Sequence, residues 1–116
     1  MSTSEDCLFC KIIAGEIPAE IVAETDYTVA FRDINPQAPT HVLVIPRLHE
    51  PNIGALAAAD PIAAAALLTD ARAVARAEGA EDNFRLVFNT GKDAQQTVFH
   101  CHGHVLAGRE FTWPPG

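Results

Sequence analysis

Three of the chain's five histidines, His100, His102 and His104, alternate with other residues in one short segment. Apolar residues flank that segment on both sides, which predicts a buried strand from Phe99 to Ala107. Alternate side chains of a strand share a face, so the three imidazoles are expected about 7 Å apart on one side. Three buried imidazoles in register each need hydrogen-bonding partners, and packing alone rarely produces that arrangement. Because imidazole transfers protons, attacks phosphorus and binds metals, the segment indicates a site for chemistry.

The remaining pattern predicts a single α+β domain with one antiparallel sheet. A main helix is expected to begin at Asp60 and Pro61, since aspartate caps a helix and proline fits its first turn, and to end before Gly79. The other expected elements are a short N-terminal helix at 7–14 and strands at 21–24, 27–32, 41–45, 84–89 and 99–107. Most strands follow one another directly, which favours antiparallel pairing over a parallel sheet.

Composition and charge limit the classes of function. The 116 residues carry a net charge of −7 with scattered basic side chains, which disfavours a nucleic-acid partner. No apolar run reaches the ~20 residues that cross a membrane, and no signal peptide is recognisable. We therefore expect a cytoplasmic protein with reduced cysteines that acts on a small molecule. Residues 1–6 are expected to form a disordered tail, followed by one domain over 7–116.

The alternating histidines resemble the signature of the histidine triad (HIT) superfamily of nucleotide hydrolases and transferases. Further segments resemble its Hint branch; they are CLFCKII at 7–13, FRDINPQAPTH at 31–41, VIP at 44–46 and WPPG at 113–116. The resemblance implies a HIT-like fold in which two sheets join across a homodimer. It also implies hydrolysis of purine nucleoside 5′-phosphoramidates, such as adenylated amines, to a nucleotide and an amine.

The same resemblance implies a role for individual residues. His102 would attack the α-phosphorus to give a nucleotidyl-histidine, which water then hydrolyses. His104 would bind phosphate oxygens or assist proton transfer, and His100 would orient the strand or bind metal. Thr97 would bond the leaving group, and Asp33 would bind both ribose hydroxyls. The other positions that correspond to substrate contacts are Phe9, Ile34, Asn89, Gln95, Gln96 and, reaching across the dimer, Trp113.

Some of these residues also have simpler interpretations. Asp33 precedes Asn35 and Pro36, so its carboxylate is also suited to capping a turn, although ribose binding is the preferred interpretation. The polar, glycine-containing loop from Asn89 to Thr97 is able to present backbone N–H groups to phosphate, although most loops of this composition are only turns.

Cys7 and Cys10 have the spacing of two metal-binding thiolates, or of two buried thiols near the start of a helix. The resemblance to bacterial members implies that His49 and His100 complete a Cys₂His₂ site for zinc. Four protein ligands leave no position for a catalytic water, so such a zinc ion would be structural.

Two alternative functions remain open from the sequence. One is a dinucleoside polyphosphate hydrolase or nucleotidyl transferase of the same superfamily. The other is a zinc-stabilised module that binds nucleotides or a protein without relevant turnover. One departure from the family pattern also stands out, because position 103 usually holds a bulky aliphatic residue. Gly103 is expected to leave a packing gap on the back of the strand, beside Cys101 and Val105.

Overall fold

The structure is a computed structural model that describes residues 6–116. Except for Asp6, the tail expected at residues 1–6 lies outside the described residues. The elements in chain order are α1 (Leu8–Ile13), β1 (Ile21–Glu24), β2 (Thr28–Arg32), β3 (Thr40–Pro46), α2 (Ile53–Ala59), α3 (Pro61–Ala77), β4 (Arg85–Phe88) and β5 (Gly103–Ala107). In this part of the chain the strands form one antiparallel sheet in the order β1-β2-β3-β5-β4, which confirms the α+β prediction.

The central strand β3 is buried along its whole length because both of its faces are covered. Val42 and Val44 point to the face that packs against α2 and α3. Leu43 and Ile45 point to the opposite face, where they join a smaller cluster with Phe9 of α1. The sheet thus has a large core on the α3 face and a thinner, partly open layer on the α1 face.

Helix α3 begins and ends as predicted. The Asp60 carboxylate accepts a hydrogen bond from the Ala63 N–H at 3.0 Å, and Pro61 occupies the first turn. Gly79 has a φ of +79°, the left-handed conformation that commonly follows the last turn of a helix. Buried alanines such as Ala71 and Ala75 allow α3 to approach the sheet closely.

Helix α2 is absent from the sequence prediction. Its seven residues, IGALAAA, are too few to show a clear apolar period, and glycine lowers helix propensity. Its sequence signal is Asn52, whose side chain caps the helix by accepting from the Ala55 N–H at 2.8 Å. The fully buried Leu56 attaches α2 to the core.

The strand predicted at 99–107 is wrong for its first four residues, because β5 begins at Gly103. Pairing with both β3 and β4 stops at Gly103, opposite Val44 and Phe88. The preceding residues are instead attached to the chain that follows β3. The Cys101 N–H donates to the Glu50 carbonyl at 2.7 Å, which competes with ladder pairing.

The packing gap expected at Gly103 is also wrong. A Cβ atom at this position would lie 3.0 Å from both Cε1 and Cζ of Phe88 and 3.2 Å from Cδ1 of Leu86. The Phe88 ring therefore fills the volume that a side chain at 103 would take. As predicted, Cys101 and Val105 belong to the same core on this face.

Among residues 6–116, no helix combines the length and the apolar character that crossing a membrane requires.

Candidate active site

A cleft of about 470 Å³ opens on the α1 face of the sheet. One part of its wall is apolar and includes Phe9 and Ile12 from α1 and Leu43 from β3. Another part holds His102 and His104. The predicted residues that line this cleft are Phe9, Asp33, Ile34, Thr97, His102 and His104. A cleft that is largely apolar with a few convergent polar groups has the character of a small-molecule site.

The hydrogen bonds of His102 determine which of its ring nitrogens carries a proton. Nδ1 lies 2.8 Å from the backbone carbonyl of His100, which accepts but does not donate. Nδ1 is therefore protonated, and Nε2 of the neutral ring keeps a free lone pair. Burial lowers the pKa of His102, which favours this neutral form. The Phe9 ring packs edge-on against the imidazole, with centroids 5.0 Å apart, and limits its rotation.

A fourth histidine, His41 of β3, fixes the tautomer of His104. The backbone N–H of Gln37 donates to Nδ1 of His41 at 3.0 Å, so His41 carries its proton on Nε2. That Nε2 lies 3.0 Å from Nδ1 of His104 and donates to it. His104 consequently presents a protonated Nε2, and its ring lies next to that of His102, with centroids 5.0 Å apart. The two rings thus offer opposite functions, an electron pair on His102 and a proton donor on His104.

His41 is the site residue that sequence reasoning missed. Its signal was the alternation of β3, which places His41 on the same face as Leu43 and Ile45. Leu43 pairs directly with His104, so a histidine two residues earlier lies diagonally across from the motif.

The pKa values of His41, His102 and His104 all lie below that of a free imidazole, which favours their neutral forms. Burial, followed by the neighbouring His102 and His41, lowers the pKa of His104 to about 4. Burial also lowers the pKa of His41, against the opposing effect of Asp33, whose Oδ2 lies 3.5 Å from Nε2. Asp33, His41 and His104 bring possible ligand atoms within 4.8 Å of one another. Because Gln37 occupies Nδ1 of His41, however, Nε2 must keep its proton, and the group forms a hydrogen-bond chain instead of a metal site.

Asp33 lines the cleft and also caps a turn. Its Oδ1 accepts from the Asn35 N–H at 2.8 Å, which confirms the turn-capping interpretation. A carboxylate has about four lone-pair positions, so this bond leaves acceptor capacity that faces the cleft. Ribose binding by Asp33 stays a prediction that the geometry permits.

The loop between β4 and the motif is held by its own hydrogen bonds. The Gln96 amide accepts from the Gly91 N–H and donates to the carbonyls of Pro51 and Val98, at 2.9, 2.6 and 3.0 Å. Both N–H groups of this amide are used, so donation from Gln96 to a substrate would have to replace one of these bonds. The Gln95 N–H donates to the Lys92 carbonyl at 3.0 Å. The predicted contacts that do not line the cleft of this chain are Asn89, Gln95, Gln96 and Trp113, the last 81% exposed.

The four predicted metal ligands converge at the N-terminus of α1. Nδ1 of His100 lies 3.3 Å from Sγ of Cys7 and 3.4 Å from Sγ of Cys10, while Nδ1 of His49 lies 3.2 Å from Sγ of Cys10. All four ligand atoms are within 4.8 Å of one another. Nε2 of His100 donates to the Pro46 carbonyl at 2.8 Å, so its Nδ1 lone pair points into the group.

These residues fit a tetrahedral metal ion by the chemistry of their donors. Two sulfurs and two imidazole nitrogens form the Cys₂His₂ set that zinc prefers. Burial and the neighbouring Cys7 raise the pKa of the Cys10 thiol to about 12, so a thiolate there requires a cation beside it. His100 links this centre to the cleft, because its side chain belongs to the ligand group and its carbonyl holds His102.

Comparison with known proteins finds relatives along nearly the whole chain. Residues 14–111 match the family model described as HIT domain. The purine nucleoside phosphoramidase of Escherichia coli strain K12 is 45% identical over 107 residues, covering 91% of this chain and 90% of that protein. A 14 kDa zinc-binding protein of Zea mays is 46% identical over 111 residues, covering 94% of this chain and 87% of that protein. Among solved structures, the crystal structure of a HIT family hydrolase from Legionella pneumophila matches this chain with a TM-score of 0.90 and 50% sequence identity. The match covers 96% of this chain and 100% of that chain.

Proposed function

This chain belongs to the HIT domain family, and we propose that as a member it hydrolyses purine nucleoside 5′-phosphoramidates to a nucleotide and an amine. The observation that carries the proposal is the pair of opposite tautomers in the cleft. His102 has an unprotonated Nε2 and His104 a protonated one, and each state follows from a hydrogen bond made by the other nitrogen of the ring. The 45% identity to a protein named purine nucleoside phosphoramidase supports the same substrate class.

The reaction takes place in two displacements. In the first, Nε2 of His102 bonds to the α-phosphorus while the bond from phosphorus to the amine nitrogen breaks. The His102 ring becomes cationic, and the His100 carbonyl stabilises it by accepting the hydrogen bond from its Nδ1–H. His104 donates a hydrogen bond from Nε2 to the negative charge on the phosphate oxygens. In the second, water attacks phosphorus and the bond to His102 breaks. The leaving amine nitrogen takes one proton from solvent in the first step, and the attacking water releases one proton to solvent in the second, so the neutral histidine is regenerated with no net change in protons.

The other cleft residues supply binding and orientation. The apolar wall around Phe9, Leu43 and the fully exposed Ile34 accommodates the purine base, and Asp33 accepts hydrogen bonds from the two ribose hydroxyls. Thr97 hydrogen-bonds the leaving amine. His104, kept neutral by its lowered pKa, contacts the phosphate as a hydrogen-bond donor without carrying a charge.

A zinc ion would be held by the group Cys7, Cys10, His49 and His100, and the similarity to the zinc-binding protein of Zea mays supports this choice of metal. When bound, zinc supplies a structural cross-link between α1, the segment after β3 and the motif, with no open coordination position for catalysis. We also propose a cytoplasmic homodimer that binds neither nucleic acid nor membrane, in which the exposed Trp113 reaches the cleft of the partner.

Steady-state turnover of adenosine 5′-phosphoramidate and of a diadenosine polyphosphate, measured on the same sample, tests the substrate class. We expect the phosphoramidate to have the larger kcat/KM, and His102→Ala to abolish its hydrolysis while nucleotide binding and thermal stability persist. A preference for the polyphosphate would contradict the proposal and would indicate a dinucleoside polyphosphate hydrolase instead. Nucleotide binding without turnover of either compound would favour a binding module.

A further inference from the structure

Gly103 separates the two histidines that face the cleft, and the need for glycine there is steric. Its φ lies outside the left-handed region, so its backbone conformation does not demand glycine. A Cβ would lie 3.0 Å from two carbons of the Phe88 ring and 3.2 Å from a methyl of Leu86. The Phe88 ring therefore packs directly on the bare Cα of Gly103.

This contact lies where the motif leaves the sheet. Gly103 pairs with Val44 on one side and Phe88 on the other, and neither ladder continues to His102. Phe88 packs against the core on the α3 face, whereas His102 and His104 line the cleft on the α1 face. The position of the His102 side chain in the cleft consequently depends on how closely the Gly103 backbone approaches that core.

We propose that Phe88 is a positioning residue for the reaction. By packing on Gly103 from behind, its ring holds the backbone of residues 102–104 so that the His102 and His104 rings stay 5.0 Å apart between centroids. The ring touches no reacting atom and acts only through the motif backbone. The kinetic consequence rests on the proposed phosphoramidate hydrolysis, while the geometric part stands without it.

A two-residue exchange tests the proposal. Gly103→Leu forces the Phe88 ring and the motif apart, and we expect kcat to fall roughly 10- to 100-fold with little change in KM. The double variant Phe88→Val with Gly103→Leu places the larger side chain on β5 and the smaller one on β4. It should return kcat close to the wild-type value. Gly103→Ala, which adds only the Cβ, replaces the leucine variant if that variant does not fold.

Val105→Ala is the matched control, because Val105 lies on the same strand and in the same core but outside the 102–104 segment. We expect it to lower Tm and to leave kcat unchanged. A kcat loss in Val105→Ala that equals the loss in Gly103→Leu would mean that general destabilisation explains both, and would overturn the proposal.

Nitrogen-15 NMR of the imidazoles gives a readout that does not depend on turnover. The Nδ1–H of His102, which donates to the His100 carbonyl, should give a proton signal that is protected from exchange with water. That signal should shift or broaden in Gly103→Leu and return to its wild-type position in the double variant. An unchanged signal in Gly103→Leu, or a double variant no better than the single one, would overturn the positioning role. Absence of phosphoramidate turnover in the wild type would refute the proposed function and leave the NMR test intact.

Discussion

Replacing His41 tests whether this histidine sets the tautomer of His104. His41→Leu fills the buried position with an apolar side chain but removes the Nε2–H that donates to Nδ1 of His104 at 3.0 Å. Nδ1 of His104 then loses the one donor that it has among residues 6–116, and the ring is free to place its proton on Nδ1 instead of Nε2. Leaving one buried polar group unpaired costs about 1–3 kcal/mol. At 1.36 kcal/mol per tenfold, kcat is expected to fall about 5- to 150-fold.

His41→Gln is the matched variant, because a glutamine amide both accepts from the Gln37 N–H and donates toward His104. It should retain most of the activity that the leucine variant loses. The measurements are kcat and KM for an adenosine phosphoramidate, together with the tautomer of His104 from imidazole nitrogen-15 shifts. A leucine variant with wild-type kcat, or a glutamine variant as slow as the leucine one, would refute the hydrogen-bond chain.

Three further predictions concern the ribose contact, the metal ligands and an ion pair. Asp33→Asn should raise KM for a ribonucleoside substrate about 10- to 100-fold, since bonds to a charged group contribute about 1.5–3 kcal/mol, and should not change KM for a 2′,3′-dideoxy analogue. Cys10→Ser should lower the zinc content measured by elemental analysis and lower Tm by roughly 10 °C or more; an unchanged Tm at reduced zinc content would contradict a structural metal. Glu78→Gln removes the paired bonds from Arg32, at 2.9 and 3.1 Å, that together with Thr40 lower the pKa of Glu78. A carboxylate with a lowered pKa stabilises the fold above its unfolded pKa, so the difference from wild type in urea unfolding should be roughly 0.5–1 kcal/mol at pH 7 and should disappear as the pH falls through the lowered pKa of Glu78.

Local sequence signals predicted the elements that have strong local chemistry. The Asp60-Pro61 start and the Gly79 end of α3 both appear in the structure, because caps and left-handed glycines act within a few residues. The short helix α2 was missed, since its seven residues carry little periodicity and its stability comes from burying Leu56 in the core.

The motif shows where alternation misleads. It correctly separated His102 and His104 from the back-facing Cys101 and Val105, but it predicted a strand where residues 99–102 are not paired. The length of a paired strand depends on partners elsewhere in the chain. Here the Glu50 carbonyl accepts from the Cys101 N–H, and the Pro46 carbonyl accepts from Nε2 of His100. No pattern within the segment encodes those partners.

The site was predicted where a residue acts through its own chemistry and missed where it acts through a neighbour. The four predicted metal ligands converge in the structure. The spacing of Cys7 and Cys10 indicated two of them, and the resemblance supplied His49 and His100. His41 was assigned only to a strand, since its role depends on the register that places Leu43 opposite His104. The gap expected at Gly103 was wrong for the same reason, because the filling residue, Phe88, comes from the adjacent strand.

Mass spectrometry of the protein, quenched in acid-free denaturant during turnover of an adenosine phosphoramidate, tests the nucleophile most directly. The tautomers in the cleft predict one nucleotidyl group, attached to the peptide that contains His102 and absent in His102→Ala. Its amount should rise when hydrolysis of the intermediate is slowed. Rapid turnover with no adduct under those conditions, or an adduct on another residue, would contradict attack by His102.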